Sequence, residues 1–238
     1  MNILLVGYGK MGKTIEAIAL EKGHEIVDRI DRHNLSDLSR YNGSNVEVAI
    51  EFSQPSTAFD NIRYCLENKI PVVSGTTGWL DKKEQVHKIC LEHEGTFFYA
   101  SNFSIGVNLF FKLNERLAKM MEPFTGYSVG MEEIHHTEKK DEPSGTAITL
   151  AEGIITNNKH KESWALGTGS SREIIPIISK RQGTVPGTHL ITYSSLVDDI
   201  EIKHTAHSRQ GFAQGALKVA EWLPGKKGIL GMDDFLKI

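Results

Sequence analysis

The feature that most constrains the fold is a glycine-rich turn near the start of the chain. Residues 2–6, with an apolar run at 3–6, have the pattern of a buried strand, and Gly7, Gly9 and Gly12 follow it in the sequence GYGKMG. Residues 10–22 then have the pattern of a helix. Three glycines at this spacing, between a strand and a helix, are typical of a turn that binds a dinucleotide.

The residues around this turn suit the parts of a dinucleotide. Gly7 allows a tight turn, Gly9 allows close approach of a pyrophosphate, and Gly12 allows the helix to pack against the strand. A second predicted strand, 25–30, ends in Asp31. This acid follows the last glycine at about the 20-residue offset expected for a carboxylate that binds the adenosine ribose. A plain glycine-rich turn requires neither this strand nor the acid.

Arg32 bears on the choice of cofactor. An aspartate at the end of the second strand favours NAD, whereas an adjacent arginine can hold the extra phosphate of NADP. The pair Asp31 and Arg32 therefore predicts that the chain uses NADH or NADPH. An ordinary surface charge is the alternative interpretation of Arg32.

Strand and helix patterns continue to alternate as far as residue 99, which predicts a parallel sheet with helices on both faces. Ligands of such sheets lie beyond the carboxyl ends of the strands. Three of these ends carry loops rich in glycine and small polar residues, at 52–55, 74–78 and 100–104. Their groups suit hydrogen bonding to a ribose or a nicotinamide amide, although ordinary turn chemistry explains each loop singly.

The pattern changes after Asn102. A helix at 107–121 is followed by predicted strands at 171–179, 188–195 and 200–204, and a helical pattern returns at 211–223. We therefore predict an α/β fold with a Rossmann-like doubly wound parallel sheet and an inserted α+β, sheet-rich second domain. The predicted domains are 1–104 with 208–238, which binds the dinucleotide, and 105–207, which binds the substrate and forms the oligomer.

Titratable residues are densest in segment 131–147, MEEIHHTEKKDEPSGTA. Its first part is predicted to be a strand on which His135 and His136 point to opposite faces. Ser144 is a good N-cap for a following helix, so the amides of Gly145 and Thr146 would favour an anion. Acid/base side chains would then face an anion-binding helix terminus, whereas a solvated charged hairpin before a capped helix is the alternative.

At this point the sequence resembles one family, the 4-hydroxy-tetrahydrodipicolinate reductases, or dihydrodipicolinate reductases, of lysine and diaminopimelate biosynthesis. The matching stretches are GYGKMG, SGTTG, SNFSIGVN, EEIHHTEKKDEPSGTA and HTAHSRQGFAQGA. The histidine-rich stretch is the specific one, because many dehydrogenases share the glycine motif. Glu142 and Gln54 depart from the family, which usually has alanine at the first position and in some members arginine at the second.

The resemblance implies a role for each residue of the site. His135 would be the proton donor or acceptor and Lys139 a second donor. The substrate, a small dicarboxylate, would be bound by His136, Ser144, Gly145 and Thr146. The nicotinamide cofactor, NADH or NADPH, would be bound by Gly7, Tyr8, Gly9, Lys10, Met11, Gly12, Asp31, Arg32, Gly75, Thr76, Thr77, Ala100, Ser101, Asn102 and Phe103.

Other interpretations use parts of the same pattern. His136 could be a structural histidine. A metal site could draw on Glu132, Glu133, His135 and His136, but neighbours on a strand do not converge on one ion, so we expect none. A dinucleotide sensor would not need His135 or Lys139. A dehydrogenase of an aspartate-derived semialdehyde is the closer rival, although we do not expect the PSGTA stretch in it.

Composition narrows the cellular context. The net charge of −3 gives no general electrostatic case for nucleic acid or an anionic membrane. Cys65 and Cys90 have no zinc-ligand spacing, which suits reduced thiols in a cytoplasmic protein. The apolar run at the N-terminus is too short for a signal peptide or a membrane span. The family resemblance implies a homotetramer that assembles through strands of the second domain.

Overall fold

The computed structural model describes residues 1–168, 171–208 and 210–237. The chain divides into two compact units. The first consists of Met1–Ile105 with Gln210–Ile238, and the second of Gly106–Arg209. The sequence predicts boundaries after residues 104 and 207, one and two residues earlier than these.

The secondary structure, in chain order, begins with β1 (Asn2–Val6), α1 (Lys10–Glu21), β2 (Glu25–Ile30), β3 (Val48–Glu51), α2 (Pro55–Glu67), β4 (Val72–Ser74), α3 (Lys83–Glu92) and β5 (Thr96–Tyr99). It continues with α4 (Ile105–Met121), β6 (Ser128–His135), α5 (Gly145–Asn157), β7 (Ser163–Leu166), β8 (Ile174–Arg181), β9 (Gly187–Ser194) and β10 (Asp199–Ala206). The chain then adds α6 (Gln210–Trp222), β11 (Gly228–Leu230) and α7 (Met232–Leu236) to the first unit.

The first unit contains a six-stranded sheet in the order β11-β5-β4-β3-β1-β2, and every pairing in it is parallel. β1 is buried on both faces, as expected for a central parallel strand. Ile3 and Leu5 pack into the cluster beneath α1 and α6, while Leu4 and Val6 pack into the cluster beneath α2 and α3. This two-sided burial explains why residues 3–6 form a continuous apolar run.

The second unit contains a five-stranded mixed sheet in the order β10-β9-β6-β8-β7. β6 is antiparallel to β9 and parallel to β8. Helices α4 and α5 supply residues to a core on one face of this sheet, which includes Met131, Ile177 and Ile191. Because side chains alternate along a strand, Glu133 and His135 lie on the same face of β6 as Met131.

The predicted fold class is confirmed, and the differences concern short elements. The prediction omitted β7, β11 and α7, which have four, three and five residues. Such elements are stabilised by pairing and packing with distant parts of the chain, and they carry too few residues for a periodic pattern. The predicted helix at 211–223 is observed as Gln210–Trp222.

Both cysteines lie in the first unit and are fully buried. Burial raises the pKa of the Cys65 thiol to about 12 and raises the pKa of Cys90 as well. Both thiols pack in the cluster beneath α2 and α3. Within the described part of the chain, no helix is long and apolar enough to cross a membrane.

Candidate active site

The glycine-rich turn joins β1 to α1, and two of its glycines are required by the protein itself. Gly7 has φ +99°, and a Cβ there would lie 2.1 Å from the carbonyl oxygen of Phe52. A Cβ on Gly12 would lie 2.3 Å from the carbonyl oxygen of Gly7. Gly9 differs, because no atom lies within 4 Å of the position its Cβ would take. The open space at Gly9 fits an anion at the N-terminus of α1.

A cavity of about 510 Å³ lies beside this turn. Five of the predicted cofactor-binding residues line it, namely Gly7, Tyr8, Gly9, Asp31 and Arg32. His33, Phe52, Ser53 and Gln54 are also part of its wall. The turn, the helix terminus and the acid at the end of β2 are thus arranged as binding of an adenine dinucleotide requires.

His33, which the sequence analysis did not single out, orders the end of β2. The backbone N–H of His33 donates to Asp31 Oδ1 at 2.7 Å. The ring Nε2 of His33 accepts a hydrogen bond from Arg32 Nε at 3.1 Å. Oδ1 of Asp31 is thus engaged within this turn, and Asp31 also lines the cavity. Asp31 and Arg32 therefore face one cavity with opposite charges.

The remaining predicted cofactor residues do not line this cavity. Lys10, Met11 and Gly12 belong to the first turn of α1, whereas two further sets follow the ends of β4 and β5. These sets are Gly75, Thr76 and Thr77 after β4, and Ala100, Ser101, Asn102 and Phe103 after β5. Because β1, β3, β4 and β5 are parallel, both sets lie at the same edge of the sheet as the glycine-rich turn.

A fully buried carboxylate, Glu51, ties these loops together at the end of β3. It accepts hydrogen bonds from the hydroxyls of Ser74 at 2.6 Å and Thr76 at 2.9 Å, and from the backbone N–H of Ser53 at 3.0 Å. The Ser53 hydroxyl donates to it as well. The hydroxyl of Thr76 is therefore engaged inside the protein, and its carbonyl accepts a hydrogen bond from Trp79 Nε1 at 2.7 Å, which leaves its backbone N–H for ligand contact.

Aromatic packing holds the loops that follow β4 and β5. The Phe103 ring lies 5.6 Å from the ring of Phe52 and 5.9 Å from that of Phe98, and Phe103 is 2% exposed. A Cβ on Gly75 would lie 2.1 Å from the Phe52 ring, so only glycine fits beneath that ring. The side chain of Phe103 thus anchors its loop from the core.

In the second unit, the central group is Glu133 on β6, which has no exposed surface. The backbone N–H of Ser144 donates to both of its carboxylate oxygens at 3.1 Å. The Ser179 hydroxyl donates to Oε1 at 2.8 Å, and the guanidinium of Arg181 lies 3.3 Å from the same oxygen. Although burial opposes ionisation, hydrogen bonds from Ser144 and Ser179 and the nearby His135 lower the pKa of Glu133.

His135 lies two residues further along β6 and is 7% exposed. Its Nδ1 is 3.4 Å from Glu133 Oε2, and this buried nitrogen has no hydrogen-bond partner in the described part of the chain. Burial lowers the pKa of His135, and the cations Lys139 and Arg181 lower it further. The charges of Glu133 and Asp141 oppose this shift.

His189 on β9 completes a cluster that the sequence analysis did not predict. It pairs with Glu133 across the two strands, and its ring lies 5.1 Å from that of His135. Burial lowers the pKa of His189 to about 4, and the neighbouring His135 adds to this shift. His189 is therefore a neutral imidazole at neutral pH.

Glu133, His135 and His189 each offer one ligand atom within 4.8 Å of the others. This set differs from the four residues considered above, because it draws on a second strand. A carboxylate with two neutral imidazoles is a zinc-type donor set. The guanidinium of Arg181, 3.3 Å from the carboxylate, already neutralises its charge and would repel a divalent cation. The arrangement therefore fits an acid/base cluster better than a metal centre.

The loop after β6 carries Lys139, whose Nζ lies 2.8 Å from Asp141 Oδ1. Arg181 holds the backbone of this loop, because its Nε donates to the carbonyl of Lys139 at 3.3 Å and its Nη2 to that of Asp141 at 2.7 Å. His136 lines a separate cavity of about 490 Å³ formed with residues 137–138, Gly183, Thr184 and Pro186. His135 and His136 thus have different surroundings.

Helix α5 begins directly after Ser144, whose hydroxyl accepts a hydrogen bond from the Ala147 N–H at 3.2 Å. The same hydroxyl is 3.2 Å from Nε2 of His189. Ser144 is 2% exposed and its polar groups are engaged inside the protein. The first N–H groups of a helix have no intrahelical partner, so the amides of Gly145 and Thr146 are the ones available to an anion.

Comparison with known proteins bears on both units. Residues 1–103 match the family described as dihydrodipicolinate reductase, N-terminus, and residues 106–236 match dihydrodipicolinate reductase, C-terminus. The chain belongs to the dihydrodipicolinate reductase family. The resemblance stated from the sequence, and with it the prediction of an NAD(P)H-dependent oxidoreductase, is confirmed.

Individual relatives match this chain over nearly its whole length. The 4-hydroxy-tetrahydrodipicolinate reductase of Christiangramia forsetii is 52% identical over 99% of this chain and 98% of the relative. That of Clostridium tetani is 36% identical over 99% and 97%. The dipicolinate-bound dihydrodipicolinate reductase from Paenisporosarcina sp. TG-14 has the same fold, with a TM-score of 0.75, 23% identity and 99% coverage of both chains.

Members of the dihydrodipicolinate reductase family use NADH or NADPH and act in lysine and diaminopimelate biosynthesis. The residues of the first unit fit such a cofactor, because Gly9 leaves open space at a helix terminus and Asp31 lines the adjacent cavity. Three residues of the second unit had no role in the prediction, namely Ser179, Arg181 and His189. Their signal in the sequence is weak, since each is a single polar residue in a predicted strand or at its edge.

Proposed function

We propose that the chain reduces 4-hydroxy-tetrahydrodipicolinate to tetrahydrodipicolinate with NADH or NADPH, in the cytoplasm. The observation that carries this proposal is the cluster at the end of β6, where His135 lies beside the buried carboxylate of Glu133 and the loop that carries Lys139 is held by Arg181. The two relatives named above match 99% of this chain, and both are 4-hydroxy-tetrahydrodipicolinate reductases. Membership of the family and the residues of the cluster therefore support the same chemistry.

The proposed first step is capture of the dicarboxylate. One carboxylate binds the amides of Gly145 and Thr146 at the N-terminus of α5, where the helix dipole favours an anion. Lys139 adds a charge-assisted hydrogen bond from the neighbouring loop. Ser144 contributes by capping the helix and fixing its first turn to Glu133. His136 contacts the substrate from its own side of the loop.

The proposed second step is reduction of the ring imine. The bound nicotinamide cofactor supplies the hydride. Hydride addition to a conjugated imine leaves an enamine-like carbon that must be protonated, so an acid is required beside it. His135 gives this proton. Burial lowers the pKa of free His135, and the negative charge of the bound dicarboxylate raises it again, so the histidine becomes protonated when substrate is present.

In the first unit, we propose that Gly7, Tyr8, Gly9, Lys10, Met11 and Gly12 bind the pyrophosphate, and that Asp31 and Arg32 bind the adenosine ribose and its phosphate. The loops after β4 and β5, which comprise Gly75, Thr76 and Thr77 and then Ala100, Ser101, Asn102 and Phe103, bind the nicotinamide half. Their contacts come mainly from the backbone, because Glu51 engages the Thr76 hydroxyl and the core holds the Phe103 ring.

The test is a coupled assay that follows NADH or NADPH oxidation with freshly generated 4-hydroxy-tetrahydrodipicolinate. We expect turnover with both cofactors and none with aspartate semialdehyde, the substrate of the rival class of dehydrogenase. A His135→Gln variant serves as the control for background oxidation. Turnover of the semialdehyde, without turnover of the cyclic dicarboxylate, would refute the proposal.

We also propose a homotetramer that assembles through the second sheet. On the face opposite α4 and α5, Glu132 pairs with Ile178 on one side and with Leu190 on the other, and Ile178 is 43% exposed. Two apolar residues, Ile178 and Leu190, thus flank Glu132 on this sheet face, and neighbouring apolar residues on an open face suit an interface. In light scattering, Ile178→Asp should reduce the mass, whereas Leu91→Asp, on the exposed face of α3, should not. An unchanged mass for Ile178→Asp would contradict the interface.

A further inference from the structure

We propose that Glu133 is a positioning residue, which holds a proton on Nδ1 of His135 and thereby makes Nε2 the atom that donates to the substrate. This inference deepens the proposed function, because it assigns the acid's active nitrogen and the residue that selects it. Neither the predicted site nor the roles implied by the family resemblance include Glu133.

The carboxylate of Glu133 is fixed in place. Three groups from two segments bind it, namely the Ser144 N–H before α5, and the Ser179 hydroxyl and the Arg181 guanidinium on β8. A carboxylate with bonds from several directions cannot turn away from its neighbours. Its Oε2 atom therefore stays beside His135 Nδ1, at 3.4 Å.

The tautomer of His135 depends on the carboxylate that its Nδ1 faces. An ionised carboxylate only accepts hydrogen bonds, so the nitrogen that faces it must carry a proton for the pair to be favourable. Nδ1 is buried, forms no hydrogen bond with any described residue and has Glu133 Oε2 3.4 Å away, and a buried donor is least costly where it faces such an acceptor. Neutral His135 is thus the Nδ1–H tautomer, and the second proton of the imidazolium is carried by Nε2.

The other ring nitrogen of His135, Nε2, lies beside a glycine. Gly187, the first residue of β9, lies beside this nitrogen, and a Cβ there would be 3.1 Å from Nε2. Any side chain at this position would crowd the donating atom. The protein therefore fixes one nitrogen against a carboxylate, and Gly187 places no side chain beside the other.

The charges around His135 come from every element that packs against it. Glu133 lies on the same strand, Lys139 and Asp141 on the following loop, Arg181 on β8, and His189 on β9. Asp141 is exposed and its carboxylate pairs with Lys139, whereas Glu133 is fully buried. Removal of the Glu133 charge therefore leaves His135 among cations, which disfavours its protonated form.

In the catalytic cycle, imidazolium His135 transfers the Nε2 proton to the ring carbon that has gained electron density from the hydride. The C–H bond forms as the Nε2–H bond breaks, and neutral His135 retains its Nδ1 proton. A proton from solvent then restores the imidazolium on Nε2. Glu133 stays ionised throughout and is not itself a proton donor.

The test uses the full chain with ¹⁵N-labelled histidine, and the His135 signals are assigned by their absence in His135→Gln. Nitrogen shifts of the wild-type protein without ligands should identify the Nδ1–H tautomer. Glu133→Gln keeps the shape and removes the charge, so it should lower the pKa of His135 and reduce kcat at neutral pH by about tenfold or more, with cofactor KM unchanged. The conservative variant Glu133→Asp should largely restore the titration.

Ser179→Ala is the matched control, because it removes a hydrogen bond to Glu133 without removing a charge, and it should leave the titration of His135 in place. An Nε2–H tautomer in the wild-type protein overturns the proposal. So does an unchanged His135 titration in a folded Glu133→Gln variant. If Glu133→Gln does not fold, the proposal is tested by the tautomer of His135 in the wild-type protein and by the titration of His135 in Glu133→Asp. The titration needs no substrate, so its outcome is separate from that of the coupled assay.

Discussion

Each unit contains a glutamate with no exposed surface near the carboxyl end of a central strand, but the two are bound in different ways. Glu51 accepts hydrogen bonds from three hydroxyls and one backbone amide, all of which are neutral donors. Glu133 lies beside a guanidinium and two imidazoles. The first carboxylate therefore fixes the shape of loops, while the second is coupled to a cation and to two titratable imidazoles.

The two units therefore contribute different kinds of groups. The first unit offers open space beside a helix terminus, at Gly9. The second unit supplies the titratable side chains. Substitutions in the first should therefore change cofactor binding and stability, and those in the second should change pH dependence and turnover.

The largest effect is expected for His135→Gln. Loss of a positioned acid should lower kcat by roughly 10²–10⁴-fold, with little change in substrate KM. Binding of NADH, measured by fluorescence titration, should be unaffected, because the glycine-rich turn and Asp31 belong to the other unit. Near-normal turnover would place the acid elsewhere, with His136 as the next candidate.

The second prediction concerns acid stability. His189 has an unfolded pKa of about 6.5 and a folded pKa of about 4, so the unfolded chain binds the proton more tightly. Its contribution is fully present above the unfolded pKa and is lost as the pH falls from about 6.5 to about 4, by about 3 kcal/mol.

His189→Asn cannot titrate, so the unfolding free energy of its second unit should depend less on pH over this range. Urea unfolding of both proteins at about pH 4.5 and about pH 7 measures the difference. Equal pH dependence in the two proteins would show that His189 is not the responsible group.

The third prediction is the effect of Lys139→Ala. A charge-assisted hydrogen bond contributes roughly 1.5–3 kcal/mol, so its loss should reduce kcat/KM by roughly 10–100-fold, with a raised substrate KM. Lys140→Ala, one residue further along the same exposed loop, is the control and should be near normal. In the double variant His135→Gln, Lys139→Ala, kcat should be little lower than in the poorer single variant, because the two groups act as one unit.

The fourth prediction sharpens the comparison of the two glutamates. Glu51→Gln replaces an acceptor with an amide group that faces hydroxyl donors, which should cost roughly 1–3 kcal/mol of stability and raise cofactor KM. The pH profile of kcat should keep its shape, in contrast to Glu133→Gln. Ser74→Ala, which removes one donor to the same carboxylate, should have a smaller effect on both stability and KM. A displaced pH profile for Glu51→Gln would remove the distinction drawn between the units.

The smallest effect is expected for Arg32→Ala. The guanidinium is exposed, so its contact with a ribose phosphate should contribute about 1 kcal/mol, or roughly a fivefold rise in KM for NADPH. The KM for NADH should change less, because that cofactor lacks the extra phosphate. Equal effects on both Michaelis constants would show that Arg32 is an ordinary surface charge and does not contact the extra phosphate of NADPH.

Local patterns account for what the sequence predicted. The turn at Gly7, the acid at Asp31 and the cap at Ser144 each depend on residues a few positions away, and short-range periodicity detects such signals. The contact of Glu133 with Arg181 and His189 depends instead on the pairing of β6 with β8 and β9. Strand register is set by packing of the whole sheet, so no local pattern brings these residues together.

The burial of Glu51 was missed for the same reason. The tripeptide Glu51-Phe52-Ser53 has no signal for a buried carboxylate, since its donors Ser74 and Thr76 come from the end of a neighbouring strand. The predicted roles of the loop hydroxyls assumed that they face a ligand. The structure directs those of Ser74 and Thr76 toward Glu51.

The placement of both cysteines in the first unit has a practical consequence. Cys65 and Cys90 have no exposed surface, and burial raises the pKa of both thiols, so a thiol reagent should react only when this unit opens. The second unit contains no cysteine. The rate of thiol labelling therefore reports the opening of the first unit alone. In the wild-type chain, slow labelling at acid pH would show that the first unit stays closed even where acid disrupts the histidine cluster of the second.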